Sequence, residues 1–131
     1  MRHAARSSVP LVCALLLAMP VRAALARTIE VPAFALDAAA EAVVPHVAVG
    51  ADGSMLFAWQ SGADVRVRLF AQSGAALAAA ATVATGAAPR LAADTRGGYV
   101  LAYLRASGCR LHLFGRRLDA AGQPVGAEIA V

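Results

Sequence analysis

An internal repeat constrains the fold of this chain more than any other feature. With an offset of 44, residues 45–70 align with residues 89–114 without a gap, and seven of the 26 aligned positions are identical. The identical pairs are Pro45/Pro89, Ala48/Ala92, Gly53/Gly97, Ala58/Ala102, Arg66/Arg110, Leu69/Leu113 and Phe70/Phe114. Beyond Phe114 the offset becomes 48, which places four extra residues of the second copy at 115–118. Periods of 20–50 residues are typical of solenoids, propellers and arrays.

Each copy begins with a pattern of two strands and a tight turn. Residues 45–49 alternate in polarity, and residues 54–59 form a short apolar run that favours a strand buried on both faces. Between them lies Asp52-Gly53, a strong turn signal. We expect Gly53, and Gly97 in the second copy, to occupy hairpin turns, because such turns need a positive φ.

The third strand of each copy alternates with period two. We therefore expect one apolar row from each copy to face a shared core between the two repeats, with the intervening polar side chains facing water. The apolar rows are Val65, Val67 and Leu69 in the first copy and Cys109, Leu111 and Leu113 in the second, and the water-facing residues are Arg66, Arg68, Arg110 and His112.

A fourth, weaker strand is predicted at the end of each copy, over residues 75–85 and 123–131. The first of these segments and residues 36–43 are rich in alanine, the best helix former. A helix therefore competes with the strand over residues 75–84, and residues 36–43 stay undecided between the two.

The second copy ends in Leu118–Val131, which reads LDAAGQPVGAEIAV. Its pattern Asp-x-x-Gly-x-Pro-x-Gly-x-Glu resembles that of bacterial secreted β-propeller-type repeats, and the resemblance extends over residues 45–131. It implies an all-β fold of two four-stranded antiparallel blade-like repeats, residues 45–88 and 89–131, as an incomplete propeller after an N-terminal signal helix. It implies no particular activity. The first copy departs from the pattern at Ala71 and Ala76, where Asp and Pro are expected.

Residues 1–26 have the order of segments typical of a secretory signal. Arg2 and Arg6 are followed by an apolar run at 9–19 and by small-x-small sites ending at Ala23 and Ala26. The apolar run is shorter than the roughly 20 residues that a membrane span needs. We expect cleavage near Ala23 or Ala26 and a secreted or periplasmic protein, with residues 27–44 as a leader that contributes an outer strand at 28–31.

Removal of the signal leaves nine Arg against eight Asp and Glu, so the mature chain is nearly neutral. Nucleic-acid binding is disfavoured, because the basic residues are not clustered among stacking aromatics. Cys109 is the one remaining cysteine, and its place on the apolar side of a strand favours core packing over a reactive thiol.

No motif in the chain points to catalysis, to a cofactor or to a metal. His46 and His112 lie on different strands of different copies, whereas zinc needs three or four ligands in one place. The acids Asp52, Asp64 and Asp119 occur in turns, where their side chains bond local backbone. They do not predict a calcium site, because calcium is coordinated by six to eight oxygens. We expect neither an enzyme nor a cofactor.

Trp59 and Tyr103 align with one another at the end of an inner strand. Packing within the repeat is the simpler interpretation, and a platform on which a sugar stacks is the more specific functional one.

We therefore expect an exported, non-catalytic module with a structural or interaction role. The alternatives are a piece of a longer propeller protein, a carbohydrate-binding module completed by oligomerisation and, least of all, a sialidase-like glycosidase fragment. Two blades cannot close a ring, so we expect apolar surface to stay uncovered and to drive self-association or binding of a protein partner. That surface is predicted around Leu56, Phe57, Val100 and Leu101.

Overall fold

The computed structural model describes residues 33–37 and 42–131, and every regular element in these residues is a β-strand. The strands form two four-stranded antiparallel sheets, each in chain order, so the predicted all-β class with two such sheets is confirmed. The first sheet contains β1 (Val43–Val49), β2 (Met55–Ser61), β3 (Asp64–Phe70) and β4 (Ala81–Thr85). The second sheet contains β5 (Ala87–Ala93), β6 (Tyr99–Ser107), β7 (Arg110–Leu118) and β8 (Pro124–Ala130). The predicted signal at 1–26 and the strand at 28–31 lie outside the described residues.

One turn geometry recurs four times, at residues 50–54, 71–75, 94–98 and 119–123. In each turn the first N–H donates to the carbonyl of the fifth residue, and the fourth N–H donates back to the first carbonyl. The fourth residue is always a glycine with φ between 79° and 90°. The prediction that Gly53 and Gly97 occupy hairpin turns is confirmed, and the requirement for a positive φ is the physical reason.

A second backbone feature repeats at the offset of 44. Val44 and Ala88 have φ of 51° and 49°, which is unusual for residues with a side chain. Each precedes a proline and lies where the pairing of the first two strands shifts register. A bulge of this kind accommodates a proline in a strand, because proline has no N–H to donate to the ladder.

The four extra residues of the second copy lie in a hairpin and not after Phe114, so the predicted placement at 115–118 is wrong. Met55 pairs with Phe70, whereas its counterpart Tyr99 pairs with Leu118, so the offset is already 48 along β7. The extra residues form two added pairs, Ala106↔Leu111 and Ser107↔Arg110, at the tip of the β6–β7 hairpin. The structural counterparts of Val65 and Val67 are therefore Leu113 and Gly115.

The fourth strand of the first copy is shorter than predicted. β4 covers Ala81–Thr85. The backbone of the preceding residues contacts β3 through a bridge between Phe70 and Ala76 and a hydrogen bond from Leu77 N to Leu69 O, and the side chains of Arg66 and Arg68 donate to Ala80 O and Ala78 O. Alanine side chains offer little cross-strand contact, which explains why the run does not extend the ladder. No helix forms over residues 75–84.

The core lies between the two sheets. β5 lies against β1 and β2, and the buried side chains of both sheets form one continuous cluster. We call the two surfaces that meet there the inner faces and the opposite surfaces the outer faces. The inner face of the first sheet is formed by Ala48, Leu56, Ala58, Val65 and Val67, and that of the second by Leu91, Tyr99, Leu101, Tyr103 and Leu118.

Polar groups at the edge of this core also link the sheets. Three side chains of the first repeat do so. His46 Nδ1 accepts from Leu91 N at 3.1 Å, and Gln60 Oε1 accepts from Ala88 N at 3.3 Å. Ser54 Oγ lies 3.2 Å from Tyr99 Oη. In return, Arg105 Nε donates to Thr85 O and Arg116 Nη1 to Val83 O. These bonds satisfy the backbone groups of Ala88, Leu91, Thr85 and Val83, so the contact between the two faces is specific as well as apolar.

Residues 33–37, which we call the cap segment, cover part of the outer face of the first sheet. The ring of Phe34 lies 5.7 Å from that of Phe57 and 4.5 Å from that of Phe70. Arg66 forms an ion pair with Asp37. The prediction that Arg66 and Arg68 face water is therefore wrong, because the cap segment half-buries both.

Candidate interaction surface

The outer face of the second sheet is open and largely apolar, and it also carries the exposed Arg90 and Arg117. Its exposed large apolar side chains come from three strands, and they are Val100 at 42% exposure, Leu113 at 41%, Val125 at 52% and Ile129 at 58%. The half-buried Ala102 and Leu104 lie between them, beside a shallow cavity of about 250 Å³. A contiguous apolar patch of this kind on a sheet is typical of a surface that contacts another protein.

This open surface corresponds to one that is buried elsewhere in the chain. At offsets of 44 and 48, its counterpart is the inner face of the first sheet. The corresponding pairs are Ala48/Ala92, Leu56/Val100, Ala58/Ala102, Val65/Leu113 and Val67/Gly115. Leu56, Ala58 and Val65 have no exposed surface, whereas Val100 and Leu113 are exposed. The two sheets thus stack with unlike faces together, and one sheet-binding face is left over.

The predicted pairing of apolar rows in a shared core is therefore half wrong. Val65 and Val67 face the core, with Leu69 partly buried beside it, but Cys109, Leu111 and Leu113 are exposed. Leu111 is 69% exposed because it belongs to the hairpin extension, which has no counterpart in the first sheet. Arg110 and His112 are exposed as predicted.

Of the four side chains predicted to stay uncovered, Val100 alone is exposed. Leu56 and Leu101 have no exposed surface, because they pack against each other's sheets across the core. Phe57 is half-buried beneath Phe34. The prediction of an open apolar surface is right for the second sheet and wrong for these three residues.

Trp59 and Tyr103, the candidate ligand contacts, are both buried, at 0% and 1% exposure. Each ring lies on the corresponding face of its own sheet, Tyr103 in the core between the sheets and Trp59 on the side of the cap segment, so the structure does not bring them together. Neither ring offers a face to solvent. Stacking of a sugar on them stays a prediction, and it requires the covering residues to move.

Tyr103 belongs to a polar cluster that the sequence did not reveal. Its hydroxyl donates to Glu128, and Arg105 donates two hydrogen bonds to the same carboxylate, at 2.8 and 2.9 Å. Arg105 also lies 4.4 Å over the ring of Phe114, which stacks on Tyr103. Glu128 thereby ties the edge strand β8 to β6. A pairing of tyrosine, arginine and glutamate across 25 residues has no local sequence signal.

Burial and then the bond to Glu128 raise the pKa of Tyr103 to about 12. The hydrogen bond from Arg105 keeps the pKa of Glu128 below its ordinary value, with a further contribution from Tyr103. Both groups therefore hold their neutral-pH forms, a protonated phenol and an ionised carboxylate. The cluster binds a strand, and it holds no proton that is poised to move near neutral pH.

The remaining candidate residues take local structural roles. Cys109 is exposed in the β6–β7 turn, so the expectation that it packs in the core is wrong. His46 links the sheets and is half-buried, whereas His112 is exposed on β7. They lie on different sheets, as the repeat predicts. Among residues 33–37 and 42–131, no three His, Cys, Asp or Glu side chains gather in a metal-binding group.

Of the three carboxylates predicted to bond local backbone in turns, Asp52 and Asp119 do so, whereas Asp64 is the first residue of β3. Asp52 accepts from the hydroxyl and the N–H of Ser54, which lower its pKa in that order. Asp119 accepts from Ala121 N and Gln123 N. Asp94 accepts from Arg96 N, the main cause of its lowered pKa, and pairs with Arg117 at 2.8 Å. These carboxylates stabilise turns, and Asp94 and Asp119 also line one open cavity of about 330 Å³.

Within the described part of the chain, no helix is long and apolar enough to cross a membrane. Comparisons with protein-family models, with curated proteins and with solved structures find no match to this chain.

Proposed function

We propose that this chain is an exported, non-catalytic module of β-propeller type that binds another protein through the outer face of its second sheet. The observation that carries the proposal is the correspondence between two faces. The same sequence positions that bury completely in the first sheet are exposed in the second. Burying a side chain of this size contributes roughly 1.5–3 kcal/mol, so the open face gains by finding a partner.

The blade-like interpretation is supported by the architecture of the two sheets. Each is a four-stranded antiparallel meander with the same turns and the same bulge, and unlike faces stack. Propellers stack sheets in this way around an axis. The carboxylates of Glu128, Asp52 and Asp119 take part in structural hydrogen bonds, which supports a non-catalytic role.

An environment-sensitive apolar dye tests the binding face. We expect the folded chain at low micromolar concentration to bind the dye, and Leu113→Arg to abolish most of that binding. The matched control is Leu77→Arg, because Leu77 is also exposed, at 57% against 41% for Leu113, but lies outside both faces of the second sheet. Equal dye binding by the two variants, both shown to be folded, would overturn the proposal.

Export is tested by expression in a bacterium with a secretion system. The protein recovered outside the cytoplasm should lack its first 23 or 26 residues. Exported protein that keeps Met1 would contradict the signal assignment.

A further inference from the structure

We infer that the partner of this outer face is the same face of a second copy of the chain, related by a two-fold axis. The inference rests on the proposed function and names the occupant of the surface. Four observations support it: the small residues at the centre of the face, the cap on the first sheet, the lack of hydrogen-bond acceptors on the face, and the available area.

Small residues at the centre of this surface leave room for a second sheet. Its centre holds Ala102 and Gly115, which are paired on neighbouring strands, and the larger Val100, Leu104 and Leu113 surround them. The corresponding surface of the first sheet, with Ala58 at its centre, is covered by a sheet. Two sheets packed face to face form a core about 10 Å thick, and side chains of this size fill it.

The other exposed end of the molecule does not offer a matching sheet. In a head-to-tail arrangement the occupant would be the outer face of the first sheet, which holds the cap segment. Arg68 Nη1 donates to Leu36 O at 3.0 Å there, just as its counterpart Arg116 donates to Val83 O at 2.7 Å between the sheets. Phe34 likewise covers Phe57 and Phe70, the counterparts of the buried Leu101 and Leu118. The cap segment thus takes the place that a preceding sheet would occupy.

The outer face also lacks the acceptors that a head-to-tail partner requires. Between the two sheets of one chain, His46 and Gln60 accept the N–H groups of Leu91 and Ala88. The counterparts of these acceptors on the outer face are Arg90 and Leu104, and neither carries an acceptor. A further sheet of the same kind would bury two N–H groups without partners, which is unfavourable. Packing against the same face of a second copy does not require acceptors for these two N–H groups.

Charge does not oppose the two-fold arrangement. Arg117, which lies on this face, is paired with Asp94. Arg90 is exposed on β5 and bonds its neighbour's carbonyl, Pro89 O. A two-fold axis parallel to the strands reverses the strand order of the second sheet, so each Arg90 lies over the β8 of the other copy. The two guanidinium groups are then separated by the width of the sheet.

The available area places this dimer among small, weak interfaces. Four strands about 4.8 Å apart and seven to nine residues long cover roughly 450–550 Å² on each copy. The total of about 1,000 Å² lies at the low end of specific interfaces, so we expect a dissociation constant of about 1–100 μM. Because the contact is apolar, sulfate should strengthen it.

Sedimentation equilibrium of the full mature chain from about 1 to 500 μM tests the inference. We expect a single reversible step from monomer to dimer, and we expect Leu113→Arg and Ile129→Arg each to raise the dissociation constant at least tenfold. Leu77→Arg, the control, should leave it unchanged. Two outward-facing variants are used because each position is already exposed in the monomer, so neither substitution needs to disturb the fold.

Three results would overturn the inference. A monomer at 500 μM would exclude the second copy, and, if the dye still binds, the proposed function stands with a different partner. Masses that grow beyond two copies would show head-to-tail growth with displacement of the cap segment. A dimer that neither outer-face variant weakens would place the contact elsewhere.

Discussion

Gly122 offers a quantitative test of how the two sheets are packed. It is the fourth residue of the β7–β8 turn, with φ of 79°, and a Cβ placed on it would lie 2.8 Å from Leu56 Cδ1. Leu56 is fully buried on the inner face of the first sheet, so it has little room to move. Gly97 occupies the same position in the β5–β6 turn, with φ of 90° and no atom within 4 Å of its Cβ position.

The two glycine-to-alanine substitutions should therefore differ in magnitude. Gly97→Ala places a side chain in the left-handed region, which costs about 1–2 kcal/mol. Gly122→Ala carries the same cost and adds an overlap in a packed core, for about 1–3 kcal/mol more. Its total loss of unfolding free energy should reach about 2–5 kcal/mol.

Equilibrium denaturation in urea measures both values, with the fluorescence of Trp59, the single tryptophan, as the signal. The experiment is done at one low protein concentration so that association does not contribute. In a Leu56→Ala background, Gly122→Ala should cost no more than Gly97→Ala, because the overlapping atoms are gone. Equal losses in the parent chain would refute the packing of this turn against the first sheet.

Four further predictions concern the polar and cap contacts. The pKa of Tyr103 rises from 10.0 in the unfolded chain to about 12 in the folded chain. Its contribution to the unfolding free energy is therefore fully present below pH 10 and is lost between pH 10 and 12. That loss is worth about 3 kcal/mol, and Tyr103→Phe should remove this alkaline dependence from denaturation curves measured across pH. Glu128 has a lowered pKa, so its contribution is complete above 4.5 and declines as the pH falls through the folded value, and Glu128→Gln should flatten that acid limb. Phe34→Ala uncovers rings of the first sheet and should lower the unfolding free energy by about 2 kcal/mol, with a matching decrease in urea midpoint. Gln60→Leu leaves Ala88 N–H without its acceptor and should cost about 1–3 kcal/mol, whereas the reverse change Leu104→Gln at the corresponding position should be near neutral.

Local chemistry made the strands and turns predictable. Glycines 53 and 97, the alternation of residues 65–70 and the apolar run at 54–59 each depend on neighbours within a few residues. Such signals place eight strands in order, because turn geometry and strand period are properties of short segments. The same reasoning overestimated the fourth strand of the first copy, where alanines fit a strand without stabilising it.

The errors arose where distant residues decide the outcome. Sequence identity at Phe70/Phe114 favoured an offset of 44 along the third strand, but strand pairing requires 48 there. Since side chains alternate with a period of two, this even shift leaves every side chain on the same face of the sheet and changes only which residues correspond. The counterpart of Val65 is therefore Leu113 and not Cys109. Burial depends in addition on what covers a face. Leu111 and Val67 look alike in sequence, but only Val67 is covered by the other sheet.

The contribution of residues 33–37 could not be read from the sequence. Phe34 and Asp37 lie in or beside an alanine-rich segment that the sequence leaves undecided between strand and helix, and their partners Phe57, Phe70 and Arg66 are more than 20 residues away. Contacts of this range are set by how the sheets leave faces uncovered. The same holds for the cluster of Tyr103, Arg105 and Glu128.

Cysteine accessibility at two corresponding positions tests the central claim, that equivalent faces of the two sheets are buried in one and open in the other. Leu56→Cys and Val100→Cys are made separately in a Cys13→Ser, Cys109→Ser background. Each folded variant is then reacted with a maleimide at a protein concentration of about 0.1 μM, which is below the expected dissociation constant of the dimer. Leu56 has no exposed surface and Val100 is 42% exposed, so the thiol at position 100 should react at a rate near that of a free thiol, while the thiol at 56 should react only as fast as the chain opens. Equal rates at the two positions would contradict the account.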